Sequence, residues 1–536
     1  MGTNPAVTPA ITPGDGYTLR IRQPDRPDIT IDGGTPLLPT VRTDGSIGMR
    51  APRNEDEQRL VTDNNTIWAL LASTGFWEAA AQLPGNLPTT GPRRRGRPPA
   101  QPTWVRWAMA CAAGLFGSQN ASVAYFADPI TWEMFRHVST GHLPVGWLPA
   151  PETPPTRSTL RTFQDWWQSP EWEHIRANTQ TALFRAALQA AKSKGHYDPD
   201  QPLSYNDVDF KQWAICDGTV LDAPASRNPQ QGGACVRIDP ASGMHTHAGA
   251  TKYGSKFVLA ETVSSSYRGR FIIAAAHVTP KPGNTVGDEA AATVAAITKL
   301  KQAAPGLRGL IIDGAFRGTH IKQMYDLGIV TVNRPAALAN PNRATGGVTA
   351  PGREETSRPI RIHRHTLPSG HVCEHNLYLI GSVLHDEKCG DGGETNYVPL
   401  PAPRNGYPRA ERFATRWYTE HTVPCPDGDT TVLLRLDAPG KNDYQNGSRT
   451  ELARFYPTNS EQFAVLYGRR NATESVHRQY KRRAERVPAF GVLSQTLYVL
   501  GYVATHNAVA EQLQLRADGK PNVFRAKPER RSRPPG

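Results

Sequence analysis

Residues 213–221 read Trp213-Ala-Ile-Cys-Asp-Gly-Thr-Val-Leu221, an apolar run with one acid, Asp217, at its centre. A carboxylate inside a buried strand is costly unless it is paired or holds a metal. The chain repeats the arrangement once. Leu310-Ile-Ile-Asp-Gly-Ala-Phe316 closes a second apolar run on Asp313. In both places a glycine follows the acid and would let a large ligand approach the backbone. Taken singly, an Asp-Gly after a strand is ordinarily a turn.

Working outward, Lys256–Glu261 and Arg270–Val278 read as further strands. Asp288–Lys301 reads as a helix, with Asp288 and Glu289 in its first turn, where acids complement the helix dipole. Leu307–Ile312 is a buried strand, Thr319–Leu327 a helix and Ile329–Val332 another strand. Strands in succession followed by strand–helix alternation predict a mixed α/β domain. Its first part is expected over 206–344 and its second over 448–515, where helical spacing returns in Gln462–Arg483 and Leu493–Leu513. Between them, 345–447 holds short alternating stretches such as Leu377–Ile380, Ala414–Glu420 and Thr430–Leu436 among Pro/Gly turns, a β-rich insertion. Residues 56–205 carry helical periodicity and a basic linker, with Phe163, Trp166, Trp167 and Trp172 as packing residues. Residues 1–55 read as a flexible arm with one hairpin around Tyr17–Ile31, and 516–536 as a disordered basic tail.

A third acid stands on a predicted helix. Tyr467, Arg470, Glu474 and Lys481 fall at offsets 0, 3, 7 and 14, within an arc of roughly 60° at helical pitch. A solvated charged face explains such spacing. A lone carboxylate among cations is also what a Mg²⁺ ligand between phosphate-gripping side chains looks like.

These residues resemble a known family. Tyr467-(2)-Arg470-(3)-Glu474-(6)-Lys481 is similar to the YREK signature of DDE transposases of bacterial insertion sequences. Asp217-Gly-Thr resembles that family's first acid motif. Asp313-Gly-Ala-Phe316 resembles its second. The separations are 96 residues (313 − 217) and 161 residues (474 − 313), the second long enough for a β-rich insertion. The resemblance covers residues 206–510 and implies an α/β RNase H-like catalytic core with a β-rich insertion, preceded by a helical N-terminal DNA-binding region. It implies that Asp217, Asp313 and Glu474 are catalytic and hold two Mg²⁺ (or Mn²⁺) ions. Such ions stand about 3.5–4 Å apart in two-metal phosphoryl-transfer sites. Tyr467, Arg470 and Lys481 are implied to bind DNA. The implied partners are double-stranded DNA, as transposon ends and target, and a second copy of the chain on that DNA. A transposase-derived DNA-binding protein without activity and an RNase H-like DNA nuclease are the alternatives.

Composition agrees with a polyanionic partner. The 536 residues carry 61 Lys+Arg against 48 Asp+Glu, a net charge of +13. Pro92-Arg93-Arg94-Arg95-Gly96-Arg97-Pro98 is a basic linker. Arg93, Arg94, Arg95 and Arg97 are candidate DNA contacts, as an extended strand in a minor groove or as a solvated basic segment. No apolar run is long enough to span a bilayer, and Met1-Gly-Thr-Asn-Pro, without a basic region followed by an apolar stretch, leads to an expectation that the chain is not secreted. Six scattered cysteines predict reduced thiols in a cytoplasm. There is no Walker-type loop, so ATP use is not implied. Cys373-x-His375, with Cys389, Cys425, His363, His365, His371 and His385, offers zinc ligands. Their spacing lacks a paired C-x2-C, and solvated or strand-packed histidines are the expectation. Asp222 and Glu461 are rival acids, expected at a strand exit and at a helix start.

Overall fold

The structure is a computed structural model. It describes residues 55–88, 101–201, 208–224, 239–247, 250–264, 270–280, 287–335, 348–349, 356–367, 369–389, 393–402, 406–411, 415–426, 428–437, 452–483 and 489–518, with four short strands between 19 and 50. The chain forms two compact units, Met1–Ala186 with Leu493–Gly536, and Ala187–Val492.

The first unit opens on two antiparallel hairpins. Strands β1 (Leu19–Gln23) and β2 (Arg26–Ile31) occupy the expected hairpin, and β3 (Leu38–Val41) pairs with β4 (Ile47–Arg50) in a stretch read as flexible arm. Helices follow: α1 (Glu55–Leu71), α2 (Thr74–Ala80), α3 (Thr103–Phe116), α4 (Gln119–Ala127), α5 (Pro129–Thr140), α6 (Arg157–Gln168) and α7 (Glu173–Lys192). Helix α3 is apolar apart from Thr103 and Arg106 and is buried from Thr103 to Leu115, as a helix without a broad polar face must be. Trp107 stacks on Trp167 with ring centroids 6.3 Å apart, and both are fully buried.

The C-terminal helix, Val492–Ala517, belongs to this unit and not to the α/β unit in which 448–515 was expected to end. Its apolar surface identifies it as buried but carries no information about its partner. The partner is set by small residues. A Cβ on Gly114 would lie 2.3 Å from the Tyr498 carbonyl oxygen, and one on Gly501 would lie 2.7 Å from that of Ala110. Backbone therefore meets backbone where α3 crosses this helix. Ser73 Oγ donates to Glu511 Oε2 at 2.7 Å, and Trp167 Nε1 donates to the Leu493 carbonyl at 3.1 Å.

The second unit is built on a mixed sheet. Its central strand β5 (Trp213–Asp222) pairs antiparallel with β7 (Ala250–Thr262), from Ala214↔Thr262 to Asp222↔Gly254. The other edge of β7 is shared by β6 (Gly243–His247) and β8 (Ile272–Val278). On its far side β5 pairs parallel with β9 (Gly309–Ile311), which pairs parallel with β10 (Val330–Val332). Helix α8 (Glu289–Ala303) leads from β8 to β9, and α9 (Gly318–Asp326) joins the parallel neighbours β9 and β10, which require a crossover.

The β-rich stretch forms two antiparallel sheets. One contains β11 (Val348–Thr349), β12 (Thr356–Thr366), β13 (Val372–Ile380), β14 (Val383–Cys389) and β15 (Thr395–Pro399). The other contains β16 (Tyr407–Ala410), β17 (Thr415–Val423) and β18 (Thr430–Arg435). Trp417 of β17 stacks on Tyr325 of α9 at 5.1 Å and donates to its carbonyl at 3.2 Å. Helices α10 (Glu461–Gly468) and α11 (Arg470–Arg483) complete the unit. No described helix is long and apolar enough to cross a membrane.

The close crossing makes Gly114→Ala informative. An exposed helical Gly→Ala change gains up to about 1 kcal/mol; here the methyl meets backbone, and a net loss of about 1–3 kcal/mol is expected. A urea unfolding midpoint raised by this substitution would show that the two helices do not meet at Gly114.

Candidate active site

Pairing between β5 and β9 covers three residues only, from Trp213↔Gly309 to Ile215↔Ile311. Asp217 lies two residues beyond that pairing on one strand, and Asp313 two residues beyond it on the other. Equal offsets from paired positions on parallel neighbours keep side chains level and on the same face. The carboxylates accordingly converge. Asp217, Asp313 and a third acid, Glu289, each place an oxygen within 4.8 Å of the others.

Glu289 is the first residue of α8. Asp288 caps the helix, accepting from the Ala291 N–H at 2.9 Å. The expected dipole role therefore falls to Asp288, while the Glu289 carboxylate turns to the sheet and forms a close ion pair with Lys256 of β7. Gly218 makes the room. A Cβ there would lie 2.0 Å from Glu289 Oε1 and 2.6 Å from Lys256 Cε. The glycine after Asp217 thus admits an ion pair of this chain, where the sequence reading expected a ligand.

Helix α11 lies on β5 and buries Thr473, Val476, His477 and Tyr480. His477 Nδ1 stands 3.6 Å from Asp217 Oδ2. Burial first, then Lys481 and Arg470, push the His477 pKa down to about 3, so the ring is neutral at ordinary pH. Glu474, one turn earlier, is exposed and is not part of the acid cluster. This departs from the expected Asp217–Asp313–Glu474 set. The buried stripe of α11 centres on Thr473 and His477, which leaves Glu474 at its margin.

Arg470 and Lys481 are half-buried and both feel Asp217. Burial disfavours the Arg470 charge, but Asp217, Tyr467, Asp313 and Glu474 outweigh it and raise its pKa. The Lys481 pKa is lowered by burial and by Lys252 and Lys256, against the pull of Asp217. Tyr467 is on a different helix from these two. The expected single helix breaks at Arg469, after Gly468, and Tyr467 lies in the last turn of α10. It stacks on Phe463 at 5.1 Å, with the Arg334 guanidinium 5.3 Å above its ring. The linker residues Arg93, Arg94, Arg95 and Arg97 lie outside the described residues. The rival acids have plain roles: Asp222 pairs with Lys252 Nζ at 2.6 Å, and Glu461 opens α10 behind its Ser460 cap.

The cluster is electrostatically strained. Asp217 is pushed up to about 7 by burial first, then by Asp313 and Glu289, against the pull of Arg470 and the Gly218 N–H. Burial also raises Glu289, opposed by Lys256. Glu261 of β7 shares the Asp217 face, because Glu261 opposes Ile215 while Leu259 opposes Asp217. It is fully buried, neither oxygen has a hydrogen-bond partner, and burial pushes it up to about 8. Acids this close, with cations only at their rim, suit a hard divalent ion bound through oxygen. Sequence reading missed Glu289, Glu261 and His477. Only Glu261, an acid ending an apolar strand, carried the signal that singled out Asp217.

The chain matches no protein-family profile, no characterised protein and no solved structure.

The Asp217 shift has a signed consequence. Its folded-state pKa of about 7 exceeds the ordinary value of about 3.9, so the folded chain binds this proton more tightly. Stability of the metal-free protein therefore falls as pH rises from about 4 to 7 and then levels. Asp217→Asn should remove that loss, leaving the variant about 2–4 kcal/mol more stable than wild type at pH 8 and little changed at pH 4.5. Urea unfolding at both pH values checks this; parallel profiles would mean that Asp217 is ionised without strain.

Proposed function

We propose that this chain is a DDE-type DNA transposase with an RNase H-like core, cleaving transposon ends and joining their 3′-OH to target DNA. The observation that carries the reading is the convergence of Asp217 and Asp313 across 96 residues (313 − 217) of chain, beside Arg470 and Lys481. Asp217, Asp313 and Glu289 would be the residues that hold the divalent metal. Bound there, Mg²⁺ or Mn²⁺ activates the attacking oxygen, stabilises the leaving one and neutralises phosphate charge.

The chain's own groups do the rest. Arg470 and Lys481 grip phosphates flanking the scissile bond, a positioning role. Tyr467, braced by Phe463 and Arg334, adds a hydroxyl contact. The neutral His477 ring packs against Asp217 without adding charge. Specific end recognition belongs to the helices of 56–205, and Arg93, Arg94, Arg95 and Arg97 add sequence-independent affinity. A homodimer on DNA, a cytoplasmic setting and independence of ATP complete the reading.

One observation favours a second reading. Glu289 stands in the cluster where the transposase resemblance implies Glu474, which suits an RNase H-like DNA nuclease that hydrolyses without joining. The test uses duplexes from the DNA flanking the gene, with Mg²⁺. Asp217→Asn and Asp313→Asn should reduce cleavage to background while DNA affinity holds. Loss in Glu474→Gln with retention in Glu289→Gln assigns the third ligand to Glu474; the opposite pattern assigns it to Glu289. Cleavage without any joined product supports the nuclease, and full activity in Asp217→Asn rejects both readings.

A further inference from the structure

The β-rich sheets hold a second cluster of metal-ligating side chains, remote in sequence from the three acids. His365 of β12 sits directly across from Cys373 of β13, and His363 across from His375. Cross-strand partners and alternate residues share one face, so one hairpin presents Cys373, His365 and His375 together. Cys425 arrives from the turn after β17, on the other sheet. Donor atoms of His365, Cys373 and Cys425 all lie within 4.8 Å of one another, and His375 Nε2 is 3.3 Å from Cys425 Sγ. Two donors on one tetrahedral zinc, with bonds of about 2.3 Å to sulfur and 2.0–2.1 Å to nitrogen, stand roughly 3.3–3.8 Å apart.

We propose that Cys373, Cys425, His365 and His375 form a structural zinc site that ties the β12–β13 hairpin to the β17–β18 sheet. Two further observations support it. His375 Nδ1 lies 2.8 Å from Asp386 Oδ2, and Asp386 is buried. That contact fixes the proton on Nδ1 and turns the Nε2 lone pair toward Cys425, the carboxylate–histidine–metal arrangement of zinc proteins. His365 buries both ring nitrogens with no hydrogen-bond partner for either, a cost that a zinc ligand removes for one of them. On binding, each thiol loses its proton to solvent, so two protons are released per ion and two thiolates balance the 2+ charge.

The site escapes a search by spacing. Its ligands follow the pattern His-(7)-Cys-(1)-His-(49)-Cys, and only strand register and sheet packing bring them together. On this proposal His365 and His375 are ligands, where the sequence led to an expectation of solvated or strand-packed histidines. Cys389 is exposed on β14 and takes no part.

The full-length protein, purified without chelator or histidine tag, should carry one zinc per chain by native mass spectrometry. Replacement by Co²⁺ should produce thiolate-to-cobalt charge-transfer absorption, which an ion held only by the oxygens of Asp217, Glu289 and Asp313 does not give. Cys373→Ser and Cys425→Ser should each weaken that absorption or abolish it. Asp386→Asn leaves all four ligands in place and should weaken zinc binding about 10–100-fold in a chelator competition. A folded protein that is metal-free with both thiols freely reactive, or one containing a Cys373–Cys425 disulfide, would overturn the proposal. So would unchanged zinc affinity in Asp386→Asn, since His375 would then be no ligand.

Discussion

The second unit depends on how short one strand pairing is. Strand β9 meets β5 for three residues and stops, so among the described residues the next stretch of β5 has no strand partner on that side. Asp217 emerges there, with Asp313 level with it. The two acids stand together on one face of the sheet, bordered by Lys256 of β7, Glu289 of α8, and Arg470 and Lys481 of α11. Burial first, then the charges of Asp313 and Glu289, raise the Asp217 pKa against the pull of Arg470. A site that is unfavourable when empty is what a cation-binding function requires, and it lowers the stability of the metal-free fold.

Much of this unit was legible in the sequence because its signals are local. Acids interrupting apolar strands cost energy wherever the chain goes, so Asp217 and Asp313 identify themselves. The alternation of strands and helices predicts a mixed sheet, and Pro/Gly punctuation predicts the β-rich stretch. Glu289 was not legible. At the first position of a helix an acid is explained by the dipole, and only the glycine-sized gap over Gly218 shows that its carboxylate goes elsewhere. The stripe on residues 467–481 was half-legible. Helical pitch places Arg470 and Lys481 together, but the break at Arg469 and the inward turn of His477 come from packing on β5.

Two other features share a cause, the silence of sequence about long-range partners. The C-terminal helix has a surface suited to burial against almost anything, and two glycines on facing helices decide the matter. The Cys/His cluster likewise needs the β12–β13 register and the turn after β17 before His365, Cys373 and Cys425 come together. In both cases the deciding information is distributed over residues more than 40 apart, where local periodicity has no reach.

The central claim is that a divalent ion held by Asp217 and its neighbours contacts the scissile phosphodiester. Sulfur placed at the 3′-bridging position of the cleaved bond tests that contact directly, because Mg²⁺ binds sulfur poorly and Mn²⁺ binds it well. The account predicts that the modified DNA resists cleavage in Mg²⁺ and is cleaved in Mn²⁺, while unmodified DNA is cleaved in both. Equal cleavage of modified and unmodified DNA in Mg²⁺, or cleavage without any divalent ion, would contradict it.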